Sequence, residues 1–511
     1  MPTYHLALFR TRSAAVYGID AHLIDVEVDM YPAGTQRDFI TVGMPDTAVK
    51  ESRERIRSAL HNSGFHYPPS SVTVNLAPAN VKKEGAGFDL PMATAILGAM
   101  GRVPSSDAHV LVGELSLDGS LRPIRGALSI AACAQQRGIR NLIVPLENAA
   151  EAAVVKDVRV FGLRHLTEVV QFFQNSSNFT ATEASLDAFH RIPADAPDFS
   201  DVRGQIVAKR ALEVAAAGNH NLLMIGPPGS GKTMLAKRFA TILPRLTFEE
   251  ALEATKVHSV AGVLGPEGGI LSQRPFRCPH HSISDAGLMG GGIGTPRPGE
   301  VSLAHQGVLF LDELPEFPRH VLEQLRQPIE EGIAVITRSN GTLVFPSRIM
   351  LVAAMNPCPC GFHGDTTREC RCSPAMIQRY LAKVSGPLLD RIDMHIEVPA
   401  VPYKELRGKP DEVGSAQIRE RVEAARQKQR ERGAYNSRLP ASQLRVVCAL
   451  DDAGERTLEL AVRKMNLSAR AHDRILRVAR TIADLSDTPN VSAKHLAEAV
   501  QYRNLDRSYW S

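Results

Sequence analysis

The sequence predicts an α/β protein in three parts: a mixed α+β block over residues 1–173, a P-loop α/β block on a parallel sheet over 199–402, and a helical region over 403–511. Three observations predict it. The chain has 511 residues, room for about three domains of roughly 150 residues each. Short apolar runs alternate with amphipathic stretches as far as Pro402, the pattern of a sheet covered by helices, and beyond it the pattern is helical only. Residues 174–198 are rich in Ser, Thr, Asn, Asp and Pro, which makes them a linker by composition.

Each element follows from its residues. Ile24, Val26, Val28 and Met30 alternate with acidic residues, a half-buried strand by period two. Lys50 to Asn62 is a charged amphipathic helix ended by Ser63-Gly64, Val72 to Leu76 a strand, Asp89 to Met100 an apolar helix, and Leu142 to Pro145 a short buried strand. After the linker come a helix (Gln205 to Gly218), a buried strand (Leu222 to Ile225), a helix (Lys232 to Leu243) and two further buried strands, Val308 to Leu311 and Leu351 to Met355. Ser415 to Arg432, Arg470 to Leu485 and Ala493 to Val500 are the helices of the last region.

Composition narrows the function classes. Apolar residues make up 44% and charged ones 22%, a globular balance, and the formal net charge of +4 announces no nucleic-acid partner, which has to be sought in local patches. No apolar run approaches the roughly 18 residues of a membrane span. The opening MPTYHLALFRTRSAAVYG has no basic-then-apolar signal segment. A cytoplasmic protein without a membrane partner is expected. Seven cysteines, an odd number, argue against a disulfide scaffold.

Leu222 to Ile225 runs into Gly226-Pro227-Pro228-Gly229-Ser230-Gly231-Lys232-Thr233 and then a helix, a complete P-loop in its strand–turn–helix setting. Glycines let backbone N–H groups turn around phosphate oxygens, Lys232 supplies a charge to the β/γ-phosphates, and the Thr233 hydroxyl suits Mg2+. ATP and Mg2+ are therefore the expected ligands. Asp312 and Glu313 end a buried strand, the edge where parallel sheets hold ligands. Asp312 suits the metal and Glu313 the polarisation of an attacking water. Asn356 ends the next strand, where an amide can hold that water or sense the γ-phosphate.

This order of motifs, with its helical lid, resembles an AAA+ ATPase. Pro298-Gly299-Glu300-Val301-Ser302-Leu303-Ala304-His305-Gln306-Gly307 and Leu388-Leu389-Asp390-Arg391-Ile392-Asp393 resemble the magnesium-chelatase and MCM-helicase branch. The whole chain is similar to the YifB/ComM family of Mg-chelatase-like AAA+ ATPases. The resemblance implies that Arg391 is an arginine finger reaching a neighbour's ATP site, the other reading being an Arg paired with Asp390 and Asp393. It also implies that Arg470 is the second sensor, with Arg474 and Arg477 as competing positions, and that the active unit is a homo-hexamer.

Val112-Gly113-Glu114-Leu115-Ser116-Leu117-Asp118-Gly119 and Leu121-Arg122-Pro123-Ile124-Arg125-Gly126 resemble the Lon-protease-like fold. Lys83 to Gly87, where that fold carries its nucleophile, has no Ser, and Arg125 to Leu128 has no lysine base. A Ser–Lys mechanism needs both, so a non-proteolytic relative is expected, like the domain fused to the RadA recombination ATPase.

Cys358, Cys360, Cys370 and Cys372 form two C-x-C pairs. Four thiolates so close suit tetrahedral Zn2+, and reduced thiols or a redox pair are the alternative; His363 is a reserve ligand. Asn340-Gly341 between β-prone runs signals a hairpin, with Arg338 near its tip either gripping DNA phosphates or lining an ordinary turn. Gly290 to Arg297 resembles the branch's pore-facing loop. His280-His281 suits phosphate or a metal, yet without a third ligand a structural role is expected. Residues 415–438 carry seven Lys/Arg against three Asp/Glu, a DNA-facing surface or simply a solvated helix face. The resemblance implies a DNA helicase that promotes branch migration of recombination intermediates, as in natural transformation. A protein-remodelling ATPase and a chelatase motor subunit are the alternatives.

Overall fold

The computed structural model describes residues 8–32, 38–66, 70–184, 197–265, 269–292, 294–338, 341–365, 368–402, 405, 413–465 and 467–505. The first block is a seven-stranded sheet of β1 (Phe9–Tyr17), β2 (Asp20–Pro32), β3 (Phe39–Val42), β4 (Ser70–Ala77), β5 (His109–Leu111), β6 (Asn141–Pro145) and β7 (Arg159–Leu163), in the order β3-β4-β2-β1-β5-β6-β7. The period-two pattern of β2 sets its register. Val26, Val28 and Met30 stand opposite Leu76, Val74 and Val72, and all six are buried. Helix α1 (Thr47–Asn62) starts where the Asp46 carboxylate accepts the Val49 N–H at 2.8 Å. Helix α2 (Asp89–Ala99) is buried along its whole length, as its apolar run requires, and α3 (Ala127–Gln136) and the shorter helices Leu146–Ala152 and Leu166–Gln174 also belong to the block.

The predicted linker stays attached at its start. Thr182 N–H donates to Val160 O at 2.7 Å, pairing with one position on the edge of β7. Most of the remainder lies outside the described residues.

The second block holds helices α4 (Ile206–Gly218), α5 (Lys232–Ile242) and α6 (Phe248–Ala261) and strands β8 (Leu222–Ile225), β9 (Phe276–Arg277), β10 (Gly290–Gly291), β11 (Arg297–Pro298), β12 (Val308–Leu311), β13 (Ile333–Arg338), β14 (Gly341–Pro346), β15 (Met350–Met355) and β16 (Met394–Glu397). Its main sheet has the order β9-β12-β15-β8-β16 and is parallel throughout. Two antiparallel hairpins, β10–β11 and β13–β14, stand outside it.

Helices α7 (Ser415–Glu431), α8 (Asp452–Met465), α9 (Ala469–Leu485) and α10 (Ala493–Gln501) form the last region. They share the core of the second block: Ile418 and Val422 of α7 and Ile475 and Ile482 of α9 pack with Leu222, Met224 and Val352 of the sheet. Leu223, Ile225, Leu309 and Leu351 face the opposite core. Among the described residues, no helix is long and apolar enough to cross a membrane.

Candidate functional site

Because the main sheet is parallel, the C-terminal ends of β8, β12 and β15 share one edge. The Gly226-to-Thr233 turn follows β8 there. Gly226 N–H donates to Met355 O at 3.2 Å, and the Gly226 α-carbon lies against Val398 O so closely that no side chain fits. Pro227 O accepts the Ser230 N–H at 3.3 Å, Gly229 and Gly231 take left-handed backbone, and Lys232 opens α5. The Lys232 ammonium donates to Gly226 O (2.8 Å), Pro227 O (2.9 Å) and Asn356 Oδ1 (3.2 Å). Burial pushes its pKa down, against the pull of Asp312 and Glu313.

Thr233 Oγ1 donates to Asp312 Oδ2 at 2.6 Å, so the two oxygen donors suited to Mg2+ already meet. Glu313 adopts left-handed backbone (φ 54°), and its N–H donates to Asp312 Oδ1 at 3.0 Å. Its carboxylate meets a partner that sequence reasoning left aside: His281 Nδ1 lies 3.3 Å from Glu313 Oε2, and the His281 ring packs 4.0 Å from that of His280. Thus Gly226 to Thr233, Asp312, Glu313 and Asn356 come together at one edge.

The four cysteines lie beside them. Cys358 is fully buried two residues beyond Asn356, and the four sulfurs lie within 4.8 Å of one another. His363 is not part of that group.

Arg391 is elsewhere. It precedes β16, which places it at the opposite edge of the sheet, while β8 separates that edge from Gly226 by four residues, roughly 13 Å of strand. Its Nη2 sits 2.7 Å from Glu330 Oε1, its Nη1 donates to Pro387 O at 2.7 Å, and its buried Nε has no partner. Asp393 pairs with Arg474 at 2.8 Å and accepts the Asn221 N–H at 2.9 Å. Arg391, Arg438, Arg474 and Arg477 line a cavity of about 270 Å³ there. Arg470 does not line it and is exposed on the first turn of α9.

Arg338 is exposed, paired with Gly341 at the end of the β13–β14 hairpin. The β10–β11 hairpin lies alongside, Gly290 against Ile336 and Gly291 against the Arg338 guanidinium. The first block touches both hairpins: Glu84 Oε2 accepts the Thr295 N–H at 3.0 Å, and the Tyr17 hydroxyl lies against Gly341. In the segment that carries a nucleophile in Lon-like folds, the Lys83 amine donates to Pro78 O, and burial lowers its pKa.

Comparison with known proteins identifies the architecture. The profile described as magnesium chelatase, subunit ChlI, matches residues 198–406; that for its C-terminal part matches 412–503, and a further ChlI profile matches 26–148. The competence protein ComM of Haemophilus influenzae is 46% identical over 502 residues, 97% of each chain. The protein YifB of Salmonella typhimurium is 44% identical over 506 residues, 98% of each. The chain belongs to the YifB/ComM family of magnesium-chelatase-like AAA+ ATPases. A shorter likeness, 24% over 159 residues and 28% of each chain, reaches Lon protease 2 of Bacillus subtilis.

Within this YifB/ComM chain, two contacts had no reading in the sequence. Gln205 Nε2 donates to Ser230 O at 3.3 Å and to Pro399 O at 2.6 Å, tying the phosphate-binding turn to the segment after β16. The next residues, Ile206 and Val207, are exposed, an apolar face beside the turn. The other contact is His281 on Glu313. A signal existed for it, since His280-His281 follows the strand that neighbours β12.

Proposed function

We propose that this chain is an ATP-hydrolysing, homo-hexameric DNA motor that drives branch migration of recombination intermediates, as in the integration of transforming DNA. One observation carries the reading: each chain holds a phosphate-binding turn at one sheet edge and an arginine-lined cavity at the other, two halves of a site that only a second subunit can join. In this reading Lys232 holds the β/γ-phosphates. Thr233 and Asp312 hold Mg2+, which when bound neutralises phosphate charge. Glu313 polarises water, Asn356 positions it, and Arg391 offsets charge on the γ-phosphoryl group of a neighbour. Their position in the Arg391 cavity supports Arg474 and Arg477 over Arg470 as second sensor.

The name of the Haemophilus relative supports a part in competence, and the paired hairpins with Arg338 suit a grip on DNA phosphates. The test is ATP turnover with and without four-way DNA, followed by strand exchange of a labelled junction. Stimulation with junction movement is expected. Turnover indifferent to DNA and a static junction would refute it, and stimulation by an unfolded protein instead would favour a remodelling ATPase, the reading that the Lon likeness supports.

A further inference from the structure

Among the described residues outside the phosphate-binding turn, Cys358, Cys360, Cys370 and Cys372 form a dense group of reactive side chains. Cys358 Sγ lies 3.3 Å from Cys360 Sγ and 3.7 Å from Cys370 Sγ, and the latter two are 3.6 Å apart. Tetrahedral Zn–S bonds of about 2.3 Å separate sulfurs by roughly 3.8 Å, so these three need shifts of only a few tenths of an ångström, and Cys372 completes a set of four sulfurs within 4.8 Å of one another. Backbone amides already aim at the sulfurs: those of Phe362 and Arg371 at Cys360, that of Cys372 at Cys370, and that of Cys360 at Cys372. Four thiolates around a divalent ion leave net negative charge, and such N–H groups offset it and orient the ligands. The C-x-C spacing is thus no obstacle, because the second pair folds back onto the first.

The same loop presses on the nucleotide turn. Gly361 donates its N–H to Cys358 O at 3.0 Å and takes φ 86°. A methyl group on it would lie 2.7 Å from Pro228 Cγ and closer still to Cδ. At the loop's start, Asn356 accepts from the Lys232 ammonium at 3.2 Å. The Gly361–Pro228 and Asn356–Lys232 contacts thus join the cysteine loop to the turn.

We propose that Cys358, Cys360, Cys370 and Cys372 hold one Zn2+ and that the loop it closes braces the turn at Pro228, so that metal occupancy sets nucleotide affinity. The proposal rests on the reading of Gly226 to Thr233 as the nucleotide site. The thiols give up their protons to become ligands, and no oxidant takes part.

The test uses the full chain purified reduced and without chelator. About one zinc per chain is expected. Displacing it with a mercurial, while a chromogenic chelator counts the metal released, should weaken binding of a fluorescent ADP analogue about tenfold. Because stripped protein can unfold, two variants keep all four ligands. Gly361→Ala should retain zinc and bind the analogue severalfold more weakly. Gly364→Ala has the same left-handed strain (φ 82°) but open space around it, and should retain both. Reduced protein with almost no zinc overturns the metal site. Zinc present, with affinity unchanged on its release and in Gly361→Ala, overturns the brace, and so does an equal loss in Gly364→Ala. Wild-type protein that binds zinc but no nucleotide would instead overturn the nucleotide reading beneath it.

Discussion

Replacing Arg391 with alanine separates a trans-acting finger from a structural arginine. The structural cost is small. Its partner Glu330 keeps about half of its side chain in solvent (51%), and an ion pair with an exposed member contributes about 0.2–1 kcal/mol. The variant should therefore fold and bind ATP through its own intact turn. The catalytic cost is large: a guanidinium on the transferring phosphoryl group contributes about 10³–10⁵ in rate, or about 4–7 kcal/mol at 1.36 kcal/mol per tenfold. Arg391 sits beyond the N-terminal end of β8, and Lys232 beyond its C-terminal end, so one subunit cannot supply both groups to one ATP. Mixing inactive Arg391→Ala with inactive Lys232→Ala should then restore turnover. In a one-to-one mixture about a quarter of the interfaces pair an intact turn with an intact finger, and about a quarter of wild-type activity should return. A mixture as inactive as its components, or Arg391→Ala at full speed by itself, sinks the trans arrangement.

Three further outcomes follow from the same geometry. Glu313→Gln should keep ATP affinity while turnover falls about 10²–10⁴-fold, the contribution of a positioned general base; unchanged single-turnover hydrolysis would remove Glu313 from that role. Asp484, almost fully buried, forms an ion pair with Arg480 at 3.0 Å and accepts from Arg432 and from Asn436, the latter at 2.8 Å. Asp484→Ala leaves the buried Arg480 charge without its carboxylate, with only the Pro489 and Thr488 carbonyls as partners, and should cost about 3–5 kcal/mol, read as a lower urea midpoint by far-UV circular dichroism, and a loss under about 1 kcal/mol would contradict it. Burial opposes the charge of Asp393, yet Arg474, His220 and the Asn221 amide outweigh it and hold its carboxyl at about 2. The unfolded value is about 3.9, so the folded pKa is depressed: the stabilisation is complete above that value and fades as pH falls from about 4 to 2, about 2–3 kcal/mol in all. Asp393→Asn should lose it at pH 7 and flatten the urea midpoint across that acid window, and parallel pH profiles for variant and wild type would refute the linkage.

Local signals in the chain translate directly into structure, and distant contacts do not. The Leu222-to-Thr233 text carries strand, turn and helix within twelve residues, and the alternation in Ile24 to Met30 fixes both a face and a register. Helix α6 escapes a periodicity reading because it is buried on more than one side, although Thr247 and Glu250 form a capping box at its start. Helix α8 buries only Gly454 and Leu458, so its apolar stripe is too thin to read. His281 lies 32 residues from Glu313, and Gly361 lies 133 from Pro228. Neither pairing has a periodic signature, because strand order rather than spacing brings the partners together. The same holds for Arg391, whose motif is legible while its edge of the sheet is set by β16 lying beside β8.

The strand order also specifies how a change at the nucleotide could reach the hairpins. β15 begins four residues after β14 and ends just before Asn356. β12 begins ten residues after β11 and ends just before Asp312 and Glu313. Each hairpin thus feeds the N-terminal end of a strand whose other end carries residues assigned to hydrolysis. The two entry points are bonded to each other: Gln306 N–H donates to Arg348 O at 2.8 Å, and Met350 N–H to Gly307 O at 2.9 Å. Buried parallel strands are stiff, so a displacement of Asn356 or Glu313 is carried along the strand rather than absorbed in it. Under the motor reading the hairpins move as a pair for each ATP consumed. Glu84, which holds the Thr295 N–H, and Tyr17, against Gly341, make the first block a third body that must move with them or let go.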